Sequence, residues 1–140
     1  MTLEILQIEG YAITVAGQIT RASALLATIA GAGVDFHAFK AVPVQPDRTQ
    51  FTLFAKDSTR MLAGAKASGL ALEGPFFALL IKGDEEAGAL AGIYETLSQA
   101  GIQVDEAYGI ADIHAGYGVI LYLKQEDCDK AMTVLTSHKE

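Results

Sequence analysis

The chain of 140 residues has one cysteine, Cys128, and therefore no partner for an internal disulfide. A reducing, intracellular setting is the expectation, and the location assigned is cytoplasmic. Long apolar runs are lacking too. The longest, Phe76 to Ile81, is bounded by Pro75 and Lys82, far short of the roughly 18–20 residues a membrane helix needs. The N-terminus has no basic segment, and Glu4 interrupts its first apolar stretch, which argues against a signal peptide. Basic residues are few: 10 Lys and Arg stand against 17 Asp and Glu, giving a net charge of −7. A chain of this sign repels phosphate backbones, so neither nucleic acid nor a membrane is an expected partner.

Catalytic and cofactor signatures are equally sparse. The segments around Gly17 and Gly83 have neither phosphate-loop nor GxGxxG spacing. His37, His114 and His138 occupy no equivalent positions and lack the i, i+4 spacing of a helical metal pair. Cys128 opens a helical stretch, but Glu126, Asp127 and Asp129 oppose a thiolate there. Tyr108, Tyr117 and Tyr122 read as strand-forming aromatics. No catalytic residue, metal ligand or cofactor is therefore assigned.

What is present is repetition. The hydrophobic content of 51% is enough for an ordinary core, and it is arranged twice in the same order. A short strand, Leu3 to Ile8, leads through Glu9-Gly10 to the strand Tyr11 to Ala16. A helix follows to Ala30, then a hairpin of Phe36 to Val44 and Phe51 to Ala55, then a helix from about Asp57 to Ala67. In the second copy Leu70 to Leu72 leads through Glu73-Gly74 to Phe76–Ile81. A helix runs to Ala100-Gly101, a hairpin joins Ile110–Ile113 to Tyr117–Leu123, and a helix covers Glu126 to Thr136. Gly33 and Gly101 stand 68 apart whereas Gly17 and Gly83 stand 66 apart, so the second copy has a longer loop before its helix. Two copies of one unit is a statement about fold.

Periodicity supports the elements. Ala22, Leu25, Leu26, Ile29 and Ala30, and again Leu90, Ile93, Tyr94 and Leu97, recur at helical spacing. Each helix stops at an Ala-Gly pair. The expected class is α+β: two ferredoxin-like (βαββαβ) units in tandem, antiparallel sheets with helices on one face, divided as 1–68 and 69–140. The second copy lacks a closing strand while Leu3 to Ile8 is surplus in the first. Either the unit is circularly permuted or the N-terminal strand, 3–8, completes the second sheet. Charge separates the copies: residues 1–74 carry six basic and six acidic side chains, whereas 75–140 carry four and eleven.

Lys82-Gly83-Asp84-Glu85-Glu86-Ala87-Gly88-Ala89-Leu90, followed by Ile93, Leu97 and Gln99-Ala100-Gly101-Ile102-Gln103-Val104, resembles the ACT domain family. That family has a strand, a loop with an acidic residue and usually Pro-Gly-x-Leu, then a helix ending in Ala-Gly-Ile or Val-Asn-Ile. Here Ala87 replaces the Pro and Gln103 the Asn, while Gly88 and Leu90 are kept. In the first copy Thr20 stands at the glycine position and Asp35 at the Asn position, with Ala32-Gly33-Val34 retained. The resemblance covers nearly the whole chain, strongly in the second copy and weakly in the first.

The resemblance implies regulatory binding of a small molecule, very often an amino acid, where two ACT units meet. A glycine at a helix start also lets a ligand carboxylate approach backbone N–H groups, although a tight turn would need the same glycine. The binding residues so implied are Asp84, Glu85, Gly88, Ala89, Leu90, Ile102 and Gln103, with Thr20, Arg21, Val34 and Asp35 as weaker counterparts. Asp84, Glu85 and Glu86 are placed to hold an amino group or simply to complement the helix dipole. The loop Gly83 to Leu90 and the pair Ile102 and Gln103 are expected at one end of the sheet. The function assigned is a non-catalytic sensor, with a homodimer or a separate regulated protein as its partner. A small enzyme on the same scaffold and a purely structural dimerisation module are the alternatives.

Overall fold

The computed structural model describes residues 3–16, 19–84, 88–111 and 116–137. Among them the chain is α+β, with four helices and six strands. Its contacts form two compact units: a central unit, Glu9–Phe76, and a terminal unit made of Met1–Ile8 with Phe77–Glu140. The repeat in the sequence suggested a division at 68/69. The unit boundaries instead pass through two strands, β1 (Leu3–Ala16) and β4 (Glu73–Gly83).

The central unit takes the latter part of β1, then α1 (Ile19–Gly31), β2 (Phe36–Gln45), β3 (Arg48–Ala55), α2 (Ser58–Ala67) and the start of β4. Its strands lie in the order β2-β3-β1-β4. β3 pairs antiparallel with β2 on one side and β1 on the other. Leu25 and Ile29, one helical turn apart on α1, join Val34, Phe51, Leu53 and Met61 in the core. The helix stops because Gly33 takes the left-handed backbone. α2 starts because the Asp57 carboxylate accepts a hydrogen bond from the Arg60 amide at 3.0 Å.

The terminal unit takes the start of β1, the rest of β4, then α3 (Ala89–Gln99), β5 (Glu106–Ala111), β6 (Tyr117–Tyr122) and α4 (Gln125–Ser137). The strand order is β1-β4-β6-β5, with β6 antiparallel to both β4 and β5. Ile93 and Leu97 of α3 and Cys128, Ala131 and Leu135 of α4 pack with Leu3, Leu79, Ile81, Val119 and Leu121. Both helices therefore lie on one face of their sheet. The alternation of side chains along a strand turns Glu4, Leu6, Leu80, Ile120 and Tyr122 to the other.

Three expected elements are corrected. Leu3–Ile8 and Tyr11–Ala16 form one uninterrupted strand. Gly10 does not break it; a Cβ there would meet the Phe54 ring at 2.6 Å, so the glycine makes room for an aromatic. Leu70 to Leu72 is not a strand: β4 begins at Glu73, while Leu70 and Leu72 pack against the central core. β5 starts at Glu106 rather than at Ile110 and is described to Ala111; the expected continuation to Ile113 lies outside the described residues. Among the described residues no helix is long and apolar enough to cross a membrane.

Candidate functional site

β4 ends at Gly83, whose size is set by its neighbours: a Cβ there would stand 2.6 Å from the Tyr117 hydroxyl and 3.0 Å from Leu3. Asp84 follows, exposed. α3 opens at Gly88, which has φ +84 and gives its helix no side-chain cap. That conformation costs most residues strain and glycine almost none. A Cβ at Gly88 would meet nothing within 4 Å, so the first turn of α3 is approachable from outside.

Beside this helix start is a hollow of about 340 Å³, lined by Gly88, Ala89, Leu90 and Ala91, by Gly109, Ile110 and Ala111 of β5, and by Gly116 to Val119. Gly116 has φ +87, and a Cβ on it would lie 2.8 Å from the Gly83 carbonyl oxygen, so close packing holds the hairpin against the end of β4. Among the described residues no charged side chain lines this hollow. Its polar character comes from the backbone and from the positive end of the α3 dipole; the apolar side chains that face it are Leu90 and Val119. An anionic group attached to a small apolar body suits that combination.

The structure brings some of the expected residues together and separates others. Gly88, Ala89 and Leu90 share the hollow. Ala89 is buried and Leu90 is exposed. Glu85 and Glu86 lie outside the described residues, as do His114 and His138. Ile102 is a core residue and Gln103 is exposed. Both border a different hollow, of about 250 Å³, with Tyr94, Ser98, Gly101 and Val104. The expectation that both segments emerge at one end of the sheet is thus corrected: the 11 residues of α3 stand between them, about 16 Å of helix. In the central unit Thr20 and Arg21 fall in the first turn of α1, whereas Val34, buried, and Asp35, exposed, follow its last turn.

Sequence reading missed the β-hairpin side of the hollow. Its signal was available in Gly109, Gly116 and Gly118, three glycines around one hairpin, which leave space where side chains would fill it. A further hollow of about 390 Å³ lies beside α3 and α4, with Leu3, Ile93 and Leu135 as its apolar lining and Glu95, Thr96 and Gln99 as its polar one.

The remaining reactive groups are held quiet. Cys128 is fully buried in the terminal core and its thiol donates to the Lys124 carbonyl oxygen at 3.5 Å. Burial, and then Asp129 and Asp127, push its pKa upward, which opposes a thiolate nucleophile. His37 is half-buried on β2. Among the described residues no three His, Cys, Asp or Glu side chains stand together as a metal site.

No protein-family model matches the chain, and no curated protein matches it. Solved structures do. The chain is similar to a protein of Bacteroides thetaiotaomicron, with 18% identity and a TM-score of 0.82 over 96% of this chain and 90% of that one. It is similar to the regulatory subunit of aspartate kinase from Thermus thermophilus, in its ligand-free form, with 14% identity and a TM-score of 0.67 over 99% and 97% of the two chains. The regulatory subunit of aspartate kinase from Thermus flavus matches with 15% identity and a TM-score of 0.57 over 99% and 96%. At these identities the likeness is one of fold, and that fold is shared with regulatory subunits along almost their whole length.

Proposed function

We propose that the chain is a non-catalytic regulatory protein of the ACT type that binds an amino acid or a similar small carboxylate metabolite. The order of elements in each unit supports reading the fold as two ferredoxin-like units, with β1 and β4 contributing to both. The regulatory role of its structural relatives supports the function. The observation that carries the site is the hollow at Gly88, where an uncapped helix start adjoins apolar walls and, among the described residues, no charged side chain intervenes. A ligand carboxylate would sit at the first N–H groups of α3 and its apolar part against Leu90 and Val119. Asp84 is the described acid available to an ammonium group, and Ile102 and Gln103 do not belong to this hollow. A separate regulated protein is the remaining partner.

Thermal-shift measurements with the common amino acids at millimolar concentration test the reading, because a ligand selective for the folded chain raises the melting temperature. Gly109→Val is the blocking variant: its Cβ would make ordinary contacts of 3.6–3.7 Å with Gly118 and Val119, on a strand that favours β-branched residues. Gly88→Val is less clean, because φ +84 strains valine irrespective of access. The expected result is a shift with one or a few amino acids that Gly109→Val removes. No shift with any of them, or a shift that survives Gly109→Val, overturns the assignment.

A further inference from the structure

Glycine inside a strand weakens it, and is kept there when a left-handed backbone or a crowding neighbour demands it. Gly109 on β5 meets neither demand. It lies outside the left-handed region, and a Cβ on it would make ordinary contacts, 3.6 Å from the Gly118 carbonyl oxygen and 3.7 Å from Val119 Cγ2. Gly10, Gly83 and Gly116 differ, since a Cβ on each would come within 2.8 Å or less of a neighbour. The hairpin itself asks for no glycine either: β2 and β3, which form the hairpin of the central unit, contain none.

What Gly109 leaves is room, on the side that faces the hollow. It pairs with Val119, a member of the core beneath α3 and α4, so alternation along β5 turns position 109 to the helix side and Ile110 to the other. Gly109 and Val119 thus form the strand wall of the hollow, with Leu90 from the first turn of α3 as its counterpart. A carboxylate at the start of α3 would direct the rest of its ligand across to that wall. The volume of about 340 Å³ is at the small end of the roughly 300–1,000 Å³ of ligand pockets, which suits a single amino acid rather than a nucleotide. Among the described lining residues only Tyr117 has a polar side chain, and its hydroxyl is buried beside Gly83 at the end of β4. A ligand hydroxyl or ammonium placed over Gly109 would leave water with no side chain to receive it, whereas a methyl group would pack on Val119 and Leu90.

We infer that Gly109 is the specificity-determining residue of this site, the space it leaves taking the branched aliphatic side chain of an amino acid such as valine or leucine in preference to a polar side chain of the same size. The inference rests on the reading of the hollow as the ligand site and adds the class of side chain it selects. Isothermal titration calorimetry of the full chain tests it, with valine against threonine and leucine against asparagine as isosteric pairs. The apolar member of the better-bound pair should bind about tenfold more tightly or better, a ratio within reach of an apolar pocket. Gly109→Ala then adds one methyl group to the wall. It should weaken the preferred branched ligand about tenfold or more, while 2-aminobutyrate, one methyl group shorter than valine, stays nearly unchanged. The unliganded variant should melt no lower than the unaltered chain, because alanine suits a strand interior better than glycine, and this keeps lost affinity apart from lost folding. Threonine or asparagine binding as tightly as its apolar isostere, or a Gly109→Ala effect that is equal for long and short ligands, overturns the inference and leaves the hollow standing as the site. Absence of binding by every amino acid overturns both. The isosteric pairs need no variant, so they decide the matter even if Gly109→Ala fails to fold.

Discussion

In the central unit the strand row away from the helices reads Thr14, Gln50 and Val42, and α2 starts with an Asp57 cap. In the terminal unit the matching row reads Leu80, Ile120 and Tyr108, and α3 starts at an uncapped glycine. The two units differ little on their helix-facing sides, where Leu53 and Leu121 are both fully buried. Selection on folding alone would leave both helix starts capped, since side-chain caps favour the folded chain. The terminal unit departs from this at its helix start, Gly88. That is where we have proposed that a ligand binds.

The largest expected effect tests whether the cores are equivalent. Leu53→Ala and Leu121→Ala each remove a buried side chain that no exposed surface can compensate, and each should cost roughly 2–5 kcal/mol by urea unfolding. Similar losses would place the difference between the units on their surfaces. A cost below about 1 kcal/mol for either leucine, far under the usual price of such a cavity, would break the comparison by showing one core to be loose.

Most helices were legible because their apolar positions recur at three and four residues and their ends carry Gly33 and Gly101. The unbroken β1 was not, since Glu9-Gly10 has the composition of a turn and only Phe54, distant in sequence, explains the glycine. The surplus strand Leu3 to Ile8 was legible as a member of the second unit, one of the two alternatives, but not that the boundaries fall inside β1 and β4, because strand membership depends on pairing between remote segments. At the site, Gly88 and Leu90 could be picked out from a local pattern. The hairpin side could not: Gly109, Gly116 and Gly118 join the hollow only through the β5-β6 pairing and the approach of Gly116 to Gly83. Gln103 does not share the hollow because it follows the last turn of α3, whereas Gly88 opens the first, so the length of the helix stands between them.

A middle-sized effect separates the two helix starts. Asp57→Ala removes the acceptor for the Arg60 amide and should lower stability by about 1 kcal/mol. Gly88→Asn should cost a few tenths of that amount, since asparagine tolerates the left-handed backbone and offers a side-chain oxygen. Paired denaturation curves measure both. A Gly88→Asn chain that loses as much as Asp57→Ala would mean that the α3 start is sterically committed rather than open.

The smallest effect is silent at neutral pH and appears only in alkali. Tyr122 occupies the position in its sheet that Thr52 takes in the central unit, each paired with an alanine of the neighbouring strand, Ala78 and Ala12. Burial first, then Glu106 and Tyr108, push the Tyr122 pKa up to about 12. The folded chain therefore holds the phenolic proton more tightly than the unfolded chain, whose tyrosine titrates near its ordinary value of 10.0. The stability this contributes is complete below pH 10 and is lost as the pH rises towards 12. Unfolding midpoints measured between pH 9 and about 11.5 should thus fall, and Tyr122→Phe should flatten the fall while leaving the value at pH 7 nearly unchanged. Tyr11 and Tyr108 shift in the same direction, so some slope persists in that variant. A slope identical with and without Tyr122 would show that this phenol is as well solvated in the fold as in the unfolded chain, and that the outer face of the terminal unit is more open than its buried tyrosine indicates.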